Sequence, residues 1–269
     1  MNEVPMSIND ITHMLNRMYG SGAVRMGREL PAPEMISTGF ECLDAITGGI
    51  PRGQIVEIFG EPSTGKTTLA LHLARRAGNV LYIDAENGLH CSGGLYVMHP
   101  DRLEEALEAV HIAAPAFDAI VIDTVAALPT RDEAAAALNT RNCNWVKHPS
   151  ASLLSHALPL LVPILQRTGC TLFLINQLRI DPKVEFGNPA HPTGGWACRN
   201  YAAIRIETAT KDFIENGYHQ RIGQTLQVFV LKNKHGAPHG RATLELHYAF
   251  GGAVLQPKNT ARPPVRIFA

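Results

Sequence analysis

Charged side chains are scarce in this sequence. Asp, Glu, Lys and Arg together make up 18% of it, below the ~25% of an average domain. The 24 basic and 24 acidic residues also cancel. That excludes a polycation gripping nucleic acid or membrane by net charge alone, and any anion site must be local. Cysteine is sparse too: Cys42, Cys91, Cys143, Cys170 and Cys198 are odd in number, far apart and contain no Cys-x-x-Cys pair. Neither a disulfide scaffold nor a structural zinc site fits them, and a reduced, cytoplasmic chain is expected. No uninterrupted apolar run approaches the ~18 residues of a membrane span. The start, MNEVPMSIND, lacks the basic-then-apolar order of a signal peptide, so a soluble protein with no membrane partner is expected. The twelve histidines form no helical pair four apart and no ligand set, so no metal beyond magnesium is inferred.

What is present is a 45% apolar chain of 269 residues. That length allows one α/β core plus an arm, and the apolar excess hints that another subunit covers part of the surface. Residues 7 to 19 have the pattern of an amphipathic helix, with Ser7 as cap, Asp10 three residues later, Ile8, Ile11, Met14, Leu15 and Met18 on one stripe, and Gly20 as the stop. A glycine- and proline-rich stretch with a short strand-like piece at Ala23 to Met26 follows. From Gln54 strands and helices alternate: GQIVEIFG, a helix over 66 to 77, NVLYIDAE, a helix at about 101 to 113, FDAIVIDT, a helix at about 151 to 167, and CTLFLINQ. Continuous apolar strands separated by helices mean a parallel sheet covered on both faces. After residue 200, AAIRIET, TLQVFVLKN and ATLELHY alternate and are joined by short loops, so the sheet should end in antiparallel strands. Pro159 and Pro163 fall inside one expected helix and predict a kink there. The expected organisation is an arm over 1 to 34, an α/β core over 35 to 252 and a short basic tail over 253 to 269.

GEPSTGKT, Gly60 to Thr67, matches the phosphate-loop pattern completely and lies between a strand and a helix. Gly60, Glu61, Pro62, Ser63, Thr64, Gly65, Lys66, Thr67 and the following Thr68 are the candidate nucleotide cradle. Backbone N–H groups curl around phosphates, Lys66 bridges the outer ones, and the Thr67 hydroxyl can ligate magnesium. AIVIDT ends a second strand in Asp123, suited to hold the same ion from the carboxyl edge of the sheet. YIDAEN ends a third in Asp84 and Glu86. Hydrolysis needs a carboxylate to deprotonate water, and Glu86 is the candidate base, although the pair also suits a plain strand-end cap. LFLINQLR puts Asn176 and Gln177 at the exit of a fourth strand. There a neutral amide could touch a terminal phosphate, or the two could be an ordinary strand-end polar pair.

With these strand ends in register, the chain resembles the RecA recombinase family over nearly its full length. STGFECLDAITGGIPRGQIVEIFGEPSTGKTT is similar to the family's opening segment, FGNPAHPTGG to its second DNA-facing loop, and VLKNKHGAP to the segment carrying two lysines that reach a neighbour's ATP. The resemblance implies a RecA-like phosphate-loop NTPase fold of the α/β class, using ATP and Mg2+, that forms a helical homo-oligomeric filament. It gives Lys66, Thr67, Asp123 and Glu86 the nucleotide roles above, makes Gln177 a sensor, lets Lys232 and Lys234 act in trans, and makes the arm the polymerisation element.

The resemblance further implies single- and double-stranded DNA as partners. Segment 129 to 148 would be a first DNA-facing loop, with Arg131, Arg141, Trp145 and Lys147. Segment 178 to 199 would supply Arg179, Lys183 and Arg199 to phosphates, Phe186 with Gly187 and Asn188 as a wedge, and Thr193, Gly194 and Gly195 at the following helix start. The sequence departs from the family in a shortened 87 to 100 segment, where His90 or Tyr96 could stack on adenine, and in ending without the usual C-terminal domain. A DNA-dependent ATPase promoting strand exchange is therefore expected. A RecA-like accessory module without exchange activity is the alternative.

Overall fold

Strands apolar at every position need cover on both faces, and the arrangement around them follows from that need. The computed structural model describes residues 6–89, 93–138, 149–180, 190–249 and 252–258. The chain divides into two compact units, Met1–Glu34 and Met35–Ala269.

In the first unit, α1 spans Ile8–Tyr19. The Ser7 hydroxyl accepts the Asp10 N–H at 3.2 Å while the Asp10 carboxylate accepts the Ser7 N–H, a reciprocal cap. A short 3₁₀ turn, Gly27–Glu29, is the only other regular element among the described residues of this unit, and no residue of α1 is buried. The strand expected at Ala23 to Met26 does not form. A strand needs a partner for its backbone groups, and here the side-chain amide of Asn16 serves instead. Its Oδ1 accepts the Val24 N–H at 2.7 Å and its Nδ2 donates to the Val24 carbonyl at 3.1 Å.

The second unit opens with β1 (Met35–Ile36), α2 (Glu41–Thr47) and β2 (Ile50–Pro51), β1 and β2 pairing antiparallel. Then come β3 (Ile55–Gly60), α3 (Lys66–Ala77), β4 (Val80–Asp84), β5 (Tyr96–Met98), α4 (Leu103–Ala113), β6 (Ala119–Asp123), α5 (Arg131–Leu138), α6 (Pro149–Thr168) and β7 (Thr171–Ile180). The chain continues through β8 (Ala190–Pro192), α7 (Trp196–Tyr201), β9 (Ile204–Glu215), β10 (Arg221–Asn233), β11 (Gly240–Ala249) and β12 (Gly252–Pro257). The main sheet runs β12-β11-β10-β9-β3-β7-β6-β4-β5, with β8 beside β7. From β9 to β5 neighbouring strands are parallel, and β10 to β12 extend the other edge antiparallel.

Alternation along the strands separates two cores. Val56, Ile58, Tyr82, Val121, Phe173 and Ile175 pack under α3. Ile55, Ile83, Ile120, Ile122, Leu172 and Leu174 pack under α4 and α6. Pro159 and Pro163, where a kink is expected, both lie inside α6, which runs from Pro149 to Thr168. Its buried residues are Leu154, Leu158, Leu161 and Leu165, each contributing about 1.5–3 kcal/mol. The prolines lie off that stripe, where water can satisfy the carbonyls left without an N–H partner.

Two boundaries differ from expectation. The loop expected over 129 to 148 begins with a helix, because Thr130 and Glu133 form a capping box (Thr130 N–H to Glu133 at 2.8 Å, Glu133 N–H to the Thr130 hydroxyl at 3.2 Å) and a run of alanines follows. Residues 253 to 257, expected in the tail, pair with β11 as part of β12. Among the described residues no helix is long and apolar enough to cross a membrane.

Candidate functional site

The carboxyl ends of β3, β4, β6 and β7 meet along one edge, and register brings their polar residues level: Asp84 opposite Asp123, and Gly60 opposite Gln177. The loop from Gly60 to Gly65 needs its glycines. A methyl at Gly60 would run into the Thr208 carbonyl on β9, and one at Gly65, at φ 74°, would lie 2.8 Å from Leu246. The loop is braced from both sides. Thr64 bonds the Glu61 carbonyl and the Thr208 hydroxyl, each at 2.8 Å, and Gln224 donates to the Ser63 carbonyl at 2.8 Å. Lys66 opens α3 and is buried, its ammonium donating to the Glu61 carbonyl at 2.7 Å. Burial pulls its pKa down, against the pull of Asp123 and Glu86.

Asp123 is the centre of the next layer. One carboxylate oxygen, Oδ2, accepts the Thr67 hydroxyl at 2.5 Å and the Tyr82 hydroxyl at 2.7 Å. Burial pushes its carboxyl up, while those two hydroxyls act in the other direction. The adjoining Thr124 donates to Glu86 at 3.2 Å, and Gln177 donates to the same Glu86 oxygen at 2.7 Å. Lys66, Thr67, Asp123, Glu86 and Gln177 therefore form one connected edge. Asp84, level with Asp123, is buried and accepts the backbone N–H groups of Gly88 and Leu89, as a strand-end cap does.

A second polar chain leaves Gln177 on the other face of the sheet. Asn176 accepts the Gln177 N–H, donates to Glu57 at 3.1 Å and to the Thr193 carbonyl at 2.8 Å, and accepts the Thr193 hydroxyl. Glu57 in turn pairs with Arg205 at 2.5 Å in the protein interior. Lys232 faces Arg205 in the β9–β10 register, level with Glu57. Its ammonium donates to the carbonyls of Arg199 and Asn200 at 2.7 and 2.9 Å. Burial lowers its pKa, and Lys234, Arg205 and Arg199 lower it further. Lys234 lies further from Gly60, its N–H bonded to the Ala203 carbonyl. The two lysines thus sit toward the amino end of β3, away from the phosphate loop at its carboxyl end.

The residues present fit a magnesium nucleotide. Two glycine positions have no room for a side chain, and a hydroxyl and a carboxylate supply hard oxygen donors. Among the described residues no three His, Cys, Asp or Glu side chains converge into a metal cage. Of the residues expected at DNA, Thr193, Gly194 and Gly195 precede α7, Arg199 lies within it, and the Arg179 backbone belongs to β7. Arg141, Trp145, Lys147, Lys183, Phe186, Gly187 and Asn188 lie outside the described residues, as does His90. Tyr96 is on the edge strand β5, its ring meeting Phe117 edge-on at 5.3 Å.

Tyr82, Glu57 and Arg205 were not anticipated, though each carries a signal. A tyrosine hydroxyl inside VLYID must find a partner. A lone acid in IVEIF and a lone base in AAIRIET are two opposite charges in buried strands, which is what a cross-strand ion pair requires.

Compared with known proteins, the chain matches the RecA N-terminal domain model over residues 6–253. The chain belongs to the RecA family. This RecA-family chain is 38% identical over 256 residues to RecA of Anaplasma marginale (strain Florida), covering 88% of the chain and 70% of that protein. It is 39% identical over 256 residues to RecA of Acidothermus cellulolyticus, covering 88% and 73%. The solved structure of the RadB recombinase matches with a TM-score of 0.56 at 18% identity, over 81% of this chain and 98% of that one. At that identity RadB supports the RecA-like fold alone.

Proposed function

We infer that this chain is an ATP-dependent DNA recombinase that assembles as a filament on single-stranded DNA and exchanges strands with a homologous duplex. The observation that carries this reading is the two-ended layout. Lys66, Thr67, Asp123 and Glu86 gather at the carboxyl end of the sheet, while Lys232 and Lys234 sit toward the opposite end of β3. Lysines so placed serve a nucleotide held by a second copy better than their own. A triphosphate gripped from both sides ties adjoining copies together while its terminal phosphate remains.

In this reading the phosphate loop and Lys66 hold the triphosphate, and Thr67 with Asp123 holds Mg2+. The bound ion would draw off phosphate charge. Glu86 takes the proton from the attacking water, and Gln177 orients Glu86 through its 2.7 Å amide contact. Asn176 and Thr193 then connect that edge to the segment before α7. Residues 1 to 34 act as the polymerisation arm. Family membership supports ATP hydrolysis and DNA as partner.

The test is electron microscopy with single-stranded DNA and a slowly hydrolysed ATP analogue, followed by a strand-exchange assay. Helical polymers and exchanged strands are expected. Polymers without exchange would favour an accessory RecA-like module, and a chain that stays monomeric on DNA with every nucleotide would sink the reading.

A further inference from the structure

A hydroxyl inside an apolar core is unfavourable unless something accepts its proton, and a phenylalanine would fill the same space without that demand. Tyr82 is 2% exposed and belongs to the core cluster that holds Val56, Val121 and Phe173. Its Cα is level with that of Val121 on β6, two residues short of Asp123. The phenol spans that offset and delivers its hydroxyl to Asp123 Oδ2 at 2.7 Å. Had the hydroxyl needed only a partner, a backbone carbonyl would have served. It takes instead the carboxylate oxygen that Thr67 also takes.

Asp123 is gripped from three elements. Its backbone carbonyl accepts the Ala85 N–H at 2.8 Å, which ties down the strand end. Thr67, in the first turn of α3, reaches Oδ2 at 2.5 Å, and Tyr82 reaches the same oxygen from β4. The terminal torsion of an aspartate is broad and roughly two-fold, so a single donor leaves the carboxylate free to turn. Two donors arriving from different elements hold it. Thr67 is divided between two tasks, because its oxygen is also a ligand to the ion in the reading above. Tyr82 has only the one.

The chemistry of this second donor matters as much as its place. An arginine or lysine there would also hold the carboxylate, but would offset the charge that attracts a divalent cation. A phenol is a neutral donor at neutral pH, so Asp123 is oriented with its charge intact. We propose that Tyr82 is a positioning residue for magnesium: its hydroxyl holds the Asp123 carboxylate in an orientation that lets Asp123 and Thr67 serve the same ion. The proposal rests on the reading of Thr67 and Asp123 as the magnesium pair and adds the residue that aligns them. Groups that orient a metal-binding carboxylate affect affinity nearly as much as the ligands do.

The test compares the full chain with two variants. Tyr82→Phe keeps the ring and removes the hydroxyl, and Phe173→Leu alters the same core level with Val121. Each is titrated at equilibrium with a fluorescent ATP analogue, once in excess EDTA and once in saturating magnesium. The ratio of the two affinities measures how far the ion tightens nucleotide binding. In Tyr82→Phe that ratio should shrink by roughly 10- to 100-fold, with the affinity in EDTA retained. Phe173→Leu should unfold at a lower temperature and leave the ratio as it is.

An unchanged ratio in Tyr82→Phe overturns the positioning role alone. So does an equal loss with and without magnesium, which would make Tyr82 a support of the phosphate loop. The same shrinkage in Phe173→Leu also overturns it, by tracing the effect to a slack core. If circular dichroism shows Tyr82→Phe misfolded, Tyr82→Leu gives the same readout. An unaltered chain whose nucleotide affinity ignores magnesium removes the pairing of Thr67 with Asp123 around an ion, and the positioning role with it.

Discussion

At the scale of single residues, the site is a set of carboxylates each held by neutral donors. Glu86 is exposed but receives Thr124 and Gln177 on one oxygen, which leaves its second oxygen for water. Replacing Glu86 with Gln keeps the shape and removes the base. ATP turnover should fall by roughly 10² to 10⁴ with nucleotide affinity retained, read by phosphate release against equilibrium binding of a fluorescent ATP analogue. Near-normal turnover would move the base elsewhere. The motif residues were legible one by one because phosphate chemistry leaves few alternatives for Lys66, Thr67 and Asp123. Tyr82 was not, since a tyrosine in an apolar strand reads first as core, and only the structure aligns its hydroxyl with Asp123.

Elements were legible where burial alone defines them. The strands carrying Ile83, Ile122 and Leu174 hold unbroken apolar runs, and the one carrying Ile58 is interrupted by Glu57 alone, a pattern that few elements other than a buried parallel strand share. The two misread elements were decided by groups that composition does not weigh. Asn16 removes the reason for a strand at Val24, and the Thr130–Glu133 box turns an expected loop into α5. Close approach between strands also carries a prediction. Gly60→Ala places a methyl against the Thr208 carbonyl where β3 and β9 pair. The variant should lose about 1–3 kcal/mol in urea unfolding and bind nucleotide poorly. Unchanged stability and nucleotide affinity would mean that the two strands can part there at no cost.

For the whole molecule the question is what each unit contributes. The second unit holds both cores and every nucleotide residue, so deletion of residues 1 to 34 should leave a folded protein that binds ATP and fails to polymerise on DNA. Sedimentation showing long polymers from that truncated chain would refute the arm's role. The arm contains one further detail. Because the Asn16 amide meets both backbone groups of Val24, any foreign strand seeking to zip onto this stretch first has to evict a resident imitation of itself. Pairing there would exchange one hydrogen-bonded partner for another, which leaves little net gain at that residue.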